Sequence, residues 1–199
     1  MAATASKRYT IDDLERFPDD GRLRELVDGQ VVEWDVANLR HGLVINALAY
    51  LLNAFVRPHR LGSVALADAL IRILGSRYNA RGGDIAFFAR GRLPTDQHAS
   101  ATDVAPDFVI EVLSPSDQPG EVQAKVRDWL RAGVKLLWYV DPDHGVTTVY
   151  RGDTETTLGP NEVLDGSDVL PGFTLCMRDV LDELEAELPF DEPESDRQC

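Results

Sequence analysis

The six residues from Phe108 to Leu113 read Phe-Val-Ile-Glu-Val-Leu, and they constrain the fold more than any other segment. Every position except Glu111 is apolar, so neither face of a strand built from this run can lie against water. Such a strand belongs inside a sheet that is covered on both faces. We therefore expect an α/β protein whose sheet carries helices on its faces.

Apolar periodicity and turn residues predict the neighbouring elements. An apolar stripe from Val44 to Phe55 predicts a helix that ends before Pro58. The expected order after it is three strands, a helix and two strands: Val64–Leu74, Asp84–Ala89, Phe108–Leu113, Pro119–Ala132, Leu136–Val140 and Val146–Arg151. A short capped helix at Tyr9–Arg16 and a hairpin at Leu23–Trp34, turning at Asp28-Gly29, precede this mixed sheet.

Length and composition predict one domain in a reducing compartment. A chain of 199 residues can bury a single core, and its two cysteines are too few for a disulfide framework. We expect a domain over residues 9–188 between disordered ends, 1–8 and 189–199. The longest apolar stretch, Leu43 to Val56, contains two asparagines and is too short to span a bilayer, so a cytoplasmic location without membrane attachment is expected.

The net charge of −14 argues against strong unaided binding to nucleic acid. Residues 179–199 hold nine acidic residues and one arginine, which gives this segment −8 and leaves −6 for the rest of the chain. The acidic tail is either a solubilising segment or a shield over a nucleic-acid cleft.

Two carboxylates in apolar strands need a partner. Glu111 and Asp84 sit in or beside apolar runs, where an unpaired charge would cost several kcal/mol. On neighbouring strands they can lie about 5 Å apart and share one cation. Asp107 shares the face of Glu111 but lies four residues away, about 13 Å, so we assign it to the strand start or to an accessory place at the rim. Asp84 as a simple strand cap is the alternative.

Lys125 lies about 60° from the centre of the apolar stripe on the following helix, and its ammonium can reach the two carboxylates. Together the three residues suit phosphodiester hydrolysis. Asp84 and Glu111 would hold Mg²⁺, with Mn²⁺ as its substitute, and Lys125 would stabilise negative charge on the phosphate. A plain Glu111–Lys125 salt bridge, or a solvated Lys125, are the alternatives.

The chain also resembles a known group, the Uma-two family of putative restriction endonucleases, a former bacterial domain of unknown function in the PD-(D/E)XK nuclease superfamily. The resemblance runs from about Tyr9 to Leu188, and its carriers are Glu25–Gly29, Arg40-His41, Gly83–Phe87, Ala105–Pro115, Lys125 with Arg131–Val134, Trp138–Pro142 and Leu170–Phe173. It implies a restriction-endonuclease-like core, metal-dependent nuclease chemistry and a homodimer.

The resemblance matches its two acidic positions to Asp84 and Glu111. Leu113 stands where the superfamily signature has lysine, and the family's displaced lysine matches Lys125. Gly83 replaces the proline that usually precedes the first aspartate. Glu25 and His41 also match family positions; Glu25 reads equally as catalytic or structural, and His41 reads more as a helix-start residue than as a base.

These observations favour a metal-dependent endonuclease that acts on nucleic acid, in the first place DNA. Two alternatives stay open. One is a catalytically weak, nuclease-like binding or regulatory module that works through a protein partner, which the acidic charge favours. In the other, the charged residues have a purely structural role.

Overall fold

The structure is a computed structural model that describes residues 7–14, 16–18, 20, 22–33, 38–66, 70–73 and 76–186. Several predictions fall outside these residues. They concern the disordered start over its first six residues, Trp34 at the end of the hairpin, Leu74 and the acidic tail at 189–199.

The described part of the chain forms four helices and thirteen short strands. The helices are α1 (Ile11–Leu14), α2 (Leu39–His59), α3 (Pro119–Ala132) and α4 (Met177–Ala186). The strands are β1 (Arg24–Val27), β2 (Gln30–Glu33), β3 (Gly62–Leu66), β4 (Leu70–Arg72), β5 (Ala80–Arg81), β6 (Ile85–Ala89), β7 (Ala101–Thr102), β8 (Phe108–Val112), β9 (Leu136–Asp141), β10 (Val146–Arg151), β11 (Thr154–Leu158), β12 (Val163–Asp165) and β13 (Thr174–Cys176).

The central six-stranded sheet has the order β11-β10-β9-β8-β6-β3. Only β8 and β9 are parallel, and α3 makes the crossover between them; every other neighbouring pair is antiparallel. The chain therefore runs through α2, then β3, β6 and β8, then α3 and β9. This is the predicted order of helix, three strands, helix and strand, and the predicted mixed α/β fold is confirmed.

Two layers of helices cover this sheet. Helices α2 and α4 pack on one face around Phe108 and Trp138, and α3 packs on the other through Val126 and Trp129. Strand β8 is buried at all five positions, as the apolar run predicted. A second sheet, β2-β1-β5-β4-β7, leads into β6 directly after β5. The polar residues of the α3 face therefore lie where the two sheets meet.

Local sequence signals explain several elements. Thr10 and Asp13 cap α1 reciprocally, with Asp13 Oδ2 accepting from the Thr10 backbone N–H at 2.8 Å. Asp28 and Gly29 both have positive φ, 50° and 81°, as the tight turn between β1 and β2 requires. Gly133 ends α3 with a φ of 96° in the left-handed region, where glycine is favoured.

Two predicted boundaries are wrong. Helix α2 continues past Pro58 to His59, because a proline in the last turn forfeits only one hydrogen bond there, and Arg60 then ends the helix in the left-handed conformation. The run Val64–Leu74 is not one strand: β3 belongs to the central sheet and β4 to the second sheet. Alternation of side chains does not reveal a change of sheet within a run.

Helix α2 has 21 residues, and by length and apolar content it could cross a membrane, although the apolar stretch within it is shorter. Core helices of soluble proteins meet the same criterion. Six of its side chains are buried, and five of these belong to the main core: Val44, Leu48, Ala49, Leu52 and Val56.

Candidate active site

Asp84 and Glu111 lie opposite each other on neighbouring strands. Ile85 on β6 pairs with Ile110 on β8 in an antiparallel register. Asp84, directly before Ile85, therefore stands across from Glu111, directly after Ile110. Glu111 shares its sheet face with Val109, two residues before it, and Val109 packs in the core under α3. The two carboxylates therefore lie at one end of the sheet, with Glu111 on the side that α3 covers.

Glu111 is 3% exposed and both of its oxygens are hydrogen-bonded. The Trp129 indole N–H donates to Oε1 at 2.6 Å, and Lys125 Nζ donates to Oε2 at 3.1 Å. Both donors come from α3, one turn apart, and so this helix fixes the carboxylate on the strand.

Lys125 links Glu111 to Glu25 of the second sheet. Its Nζ lies 3.1 Å from Glu111 Oε2 and 3.3 Å from Glu25 Oε1. Burial by itself lowers the pKa of Lys125, but the carboxylates of Glu111 and Glu25 outweigh it and hold that pKa well above the usual value. The ammonium therefore stays protonated at neutral pH, with its side chain 13% exposed.

A buried ion-pair network holds Glu25 in place. Arg81 donates to Glu25 Oε2 at 3.0 Å and to Asp128 Oδ2 at 2.8 Å, and its side chain is only 4% exposed. The Gly82 N–H donates to Glu25 Oε1 at 2.9 Å. Arg81 thus joins the second sheet to α3, and the strongest structural duty of Glu25 is to bind this arginine and Lys125.

Asp84 and His41 meet at the peptide of Val112. The Val112 N–H donates to Asp84 Oδ2 at 2.7 Å, and His41 Nε2 lies 2.8 Å from the Val112 carbonyl oxygen. Because a carbonyl only accepts, His41 Nε2 carries the proton. His41 Nε2 is also 3.7 Å from Asp84 Oδ2, so the histidine positions the strand end and the aspartate and is not poised as a base through that nitrogen.

Asp107 lies apart from this cluster. Its side chain accepts hydrogen bonds from the Ala89 N–H at 2.9 Å, from Lys135 Nζ at 2.8 Å and from Arg92. Ala89 ends β6, whereas Asp84 precedes it, so Asp107 occupies the opposite end of the sheet. Although burial opposes it, the donation from Lys135 and Ala89 lowers the pKa of Asp107. The structure gives Asp107 an ion-pairing place at the start of β8.

The cluster has an excess of negative charge. Four carboxylates surround two basic groups: Glu25, Asp84, Glu111 and Asp128 against Arg81 and Lys125. Burial raises the pKa of Glu111 to about 8, against the pull of Lys125 and with a further rise from Asp84 and Glu25. Burial likewise raises the pKa of Asp84. Both acids therefore favour an added cation or a proton.

Asp84 and Glu111 suit a divalent cation that takes only two protein ligands. Among the described residues, no group of three or more His, Cys, Asp or Glu side chains has a geometry that could hold a metal ion. Mg²⁺ usually takes only one or two carboxylates and keeps several waters. A carboxylate has about four acceptor sites, and Glu111 and Asp84 each retain some of them. Asp84, at 21% exposure, is the most open of the three predicted residues.

Sequence reasoning missed three residues of this site. Trp129 reads as a core aromatic, and Tyr139, paired with Glu111 across β8 and β9, reads as an apolar strand position. Arg81 falls between two predicted strands. Burial and then the charge of Glu111 raise the pKa of Tyr139 well above its usual value, so it keeps its proton. Arg81 was detectable as a charge beside an apolar strand, whereas no local pattern marks the indole donor.

Gly83, which stands where the superfamily usually has proline, has a packing reason for lacking a side chain. A Cβ there would lie 3.0 Å from Val109 Cγ1 and 3.2 Å from Trp129 Cζ2. The indole that donates to Glu111 thus fills the space that a larger residue would need. This explains why glycine, and not proline, precedes Asp84 in this chain.

Comparisons with known proteins agree with this architecture. The family model of Uma2, described as "Putative restriction endonuclease", matches residues 11–179. The fold is similar to the crystal structure of a putative nuclease belonging to DUF820 from Anabaena variabilis, with a TM-score of 0.78 and 22% identity, over 88% of this chain and 98% of that chain. No curated protein shows a significant match.

Proposed function

Since this chain belongs to the Uma2 family of putative restriction endonucleases, we propose that it is a metal-dependent endonuclease that hydrolyses phosphodiester bonds, in the first place those of DNA. The observation that carries the proposal is the convergence of Asp84 and Glu111 from neighbouring strands with Lys125, 3.1 Å from Glu111. A purely structural ion pair with Lys125 would need only one of these two carboxylates.

Asp84 and Glu111 would hold the divalent cation, Mg²⁺ or Mn²⁺. When bound, such an ion polarises the scissile phosphate and lowers the pKa of a coordinated water. Asp84 faces solvent more than Glu111 does, so the phosphate would approach from its side.

Lys125 would supply a fixed positive charge beside the phosphate. Glu111 and Glu25 hold its ammonium from two directions and keep it protonated. A charge that is already oriented in a buried site stabilises a developing anion without reorganisation. Glu25 and Arg81 then position Lys125, and Trp129 positions Glu111, without touching the phosphate.

Plasmid nicking in Mg²⁺ or Mn²⁺ tests this function. We expect the wild-type protein to nick supercoiled DNA, Glu111→Ala and Lys125→Met to lose this activity, and Glu121→Ala, exposed in the first turn of α3, to keep it. Circular dichroism spectra of the variants should match the wild type. Equal nicking by wild-type protein and Glu111→Ala would assign the activity to a contaminant and contradict the proposal.

The second candidate is a nuclease-like binding or regulatory module. It is favoured by the net charge of −14 and by the Glu111–Lys125 pair, which neutralises one carboxylate without a metal. Titration calorimetry with Mn²⁺ separates the two functions: the endonuclease should bind the ion through Asp84 and Glu111, and the binding module should not. The homodimer and the cytoplasmic location stay predictions.

A further inference from the structure

A cleft of about 380 Å³ lies at the end of the central sheet that is remote from Asp84. Gly62 and Ser63 at the start of β3 and Ala89 at the end of β6 are among the residues that line it. Ala89 lies five positions after Asp84, which is roughly 17 Å along a strand. The cleft is therefore a separate place on the molecule from the carboxylate cluster.

Three arginines from different elements line this cleft: Arg57 in the last turn of α2, Arg60 directly after it, and Arg90 directly after β6. Within the described part of the chain, none of the three has a carboxylate at ion-pair distance. Most other described arginines are paired, for example Arg22, Arg24, Arg72, Arg81 and Arg151.

The surroundings of the cleft add positive charge. Next to Ala89, the single carboxylate of Asp107 accepts from two basic groups, Arg92 and Lys135, whose side chains are 39% and 62% exposed. The three arginines of the cleft and these two basic residues thus lie at the same end of the sheet, and Asp107 is the acid that Arg92 and Lys135 bind. This is the reverse of the charge balance in a chain with 34 acidic and 20 basic residues.

The negative end of the α2 dipole favours a cation at Arg57, but it does not account for Arg90, which follows a strand. Like charges around one concave surface repel each other unless an anion lies among them. Guanidinium groups bind phosphate through paired N–H donors, and three such groups line this cleft.

We propose that this cleft binds a phosphate group. The chemistry is shared by the backbone of a nucleic acid and by a small phosphorylated compound, and the experiment below separates these sources. The proposal does not depend on the carboxylate cluster. Binding is therefore measured in EDTA, which removes divalent cations and prevents any metal-dependent cleavage of the probe. The cleft also gives an acidic protein a defined surface on which phosphate is attracted and not repelled.

The test compares Arg57→Gln/Arg90→Gln with Arg16→Gln/Arg178→Gln, a control that removes the same charge from side chains 79% and 48% exposed elsewhere. Pyrophosphate binding is measured by calorimetry, and binding of a blunt 20-base-pair duplex by fluorescence anisotropy across salt concentrations. We expect the cleft variant to bind pyrophosphate about tenfold more weakly or worse. If the duplex uses the cleft, its salt slope should fall by roughly two charges.

If the cleft variant loses duplex binding and the control variant keeps it, the site binds nucleic-acid phosphates. Loss of pyrophosphate binding alone, with the duplex unaffected, assigns it to a small phosphorylated compound. Equal behaviour of the two variants toward both probes overturns the proposal, and so does a wild-type protein that binds neither probe at low salt. Thermal melts that match the wild type exclude unfolding as the cause.

Discussion

Stability should fall as the pH rises, because Glu111 holds a proton more tightly in the folded protein than in the unfolded chain. Its pKa is about 8 in the fold and 4.5 ordinarily. The stabilisation is complete below pH 4.5 and is lost as the pH rises toward 8. Each pKa unit corresponds to about 1.4 kcal/mol, so the interval from pH 5 to 7.5 should cost about 3 kcal/mol of unfolding free energy.

Urea unfolding in EDTA, at pH values from 5 to 7.5, measures this loss for wild-type protein and for Glu111→Gln. Glutamine does not titrate, so the variant should lose about 3 kcal/mol less than the wild type over the interval. Its absolute stability also changes, because the amide N–H₂ faces Lys125, and only the slope against pH is diagnostic. Glu121→Gln, on the exposed start of α3, should keep the wild-type slope.

Parallel curves for wild-type protein and Glu111→Gln, within about 0.5 kcal/mol, would refute the assignment of a raised pKa to this carboxylate. The same experiment also informs the metal site. A divalent cation on Glu111 favours its charged form, so Mn²⁺ in place of EDTA should flatten the wild-type slope and leave that of Glu111→Gln unchanged.

Three further substitutions separate positioning from packing. Trp129→Phe removes the donor 2.6 Å from Glu111 Oε1 and should cost about 1–3 kcal/mol in urea melts while weakening Mn²⁺ binding. Gly83→Ala places a methyl group 3.0 Å from Val109 Cγ1, which should lower the free energy of unfolding by about 1–3 kcal/mol. In calorimetry the variant should therefore melt at a lower temperature than the wild type. Asp107→Asn should cost about 1–3 kcal/mol at neutral pH, because the arginine and lysine that it leaves are 39% and 62% exposed, and it should leave plasmid nicking unchanged in the folded fraction. Because the pKa of Asp107 is lowered, this last cost should shrink as the pH falls below about 4, and a constant cost would contradict it.

Local sequence determined most of the elements around the candidate site. The Thr10–Asp13 cap, the Asp28-Gly29 turn and the stop at Gly133 each depend on residues within a few positions of one another. The buried strand around Glu111 likewise follows from its own composition. These signals sufficed for the order of helix, three strands, helix and strand. The charges in apolar strands, the place of Lys125 on its helix and the family pattern together led to Asp84, Glu111 and Lys125 as candidates.

Only the tertiary structure decided how those residues are held. Arg81 joins Glu25 and Asp128, which lie 56 and 47 positions away, and no periodicity relates such residues. The indole of Trp129 reaches Glu111 because of where α3 packs on the sheet. The same packing leaves no room for a side chain at position 83, where the residue is glycine. Distance in the chain does not fix distance in space once loops intervene, so ion pairs, indole donors and the arginine cleft emerge only when the sheets and helices are packed together.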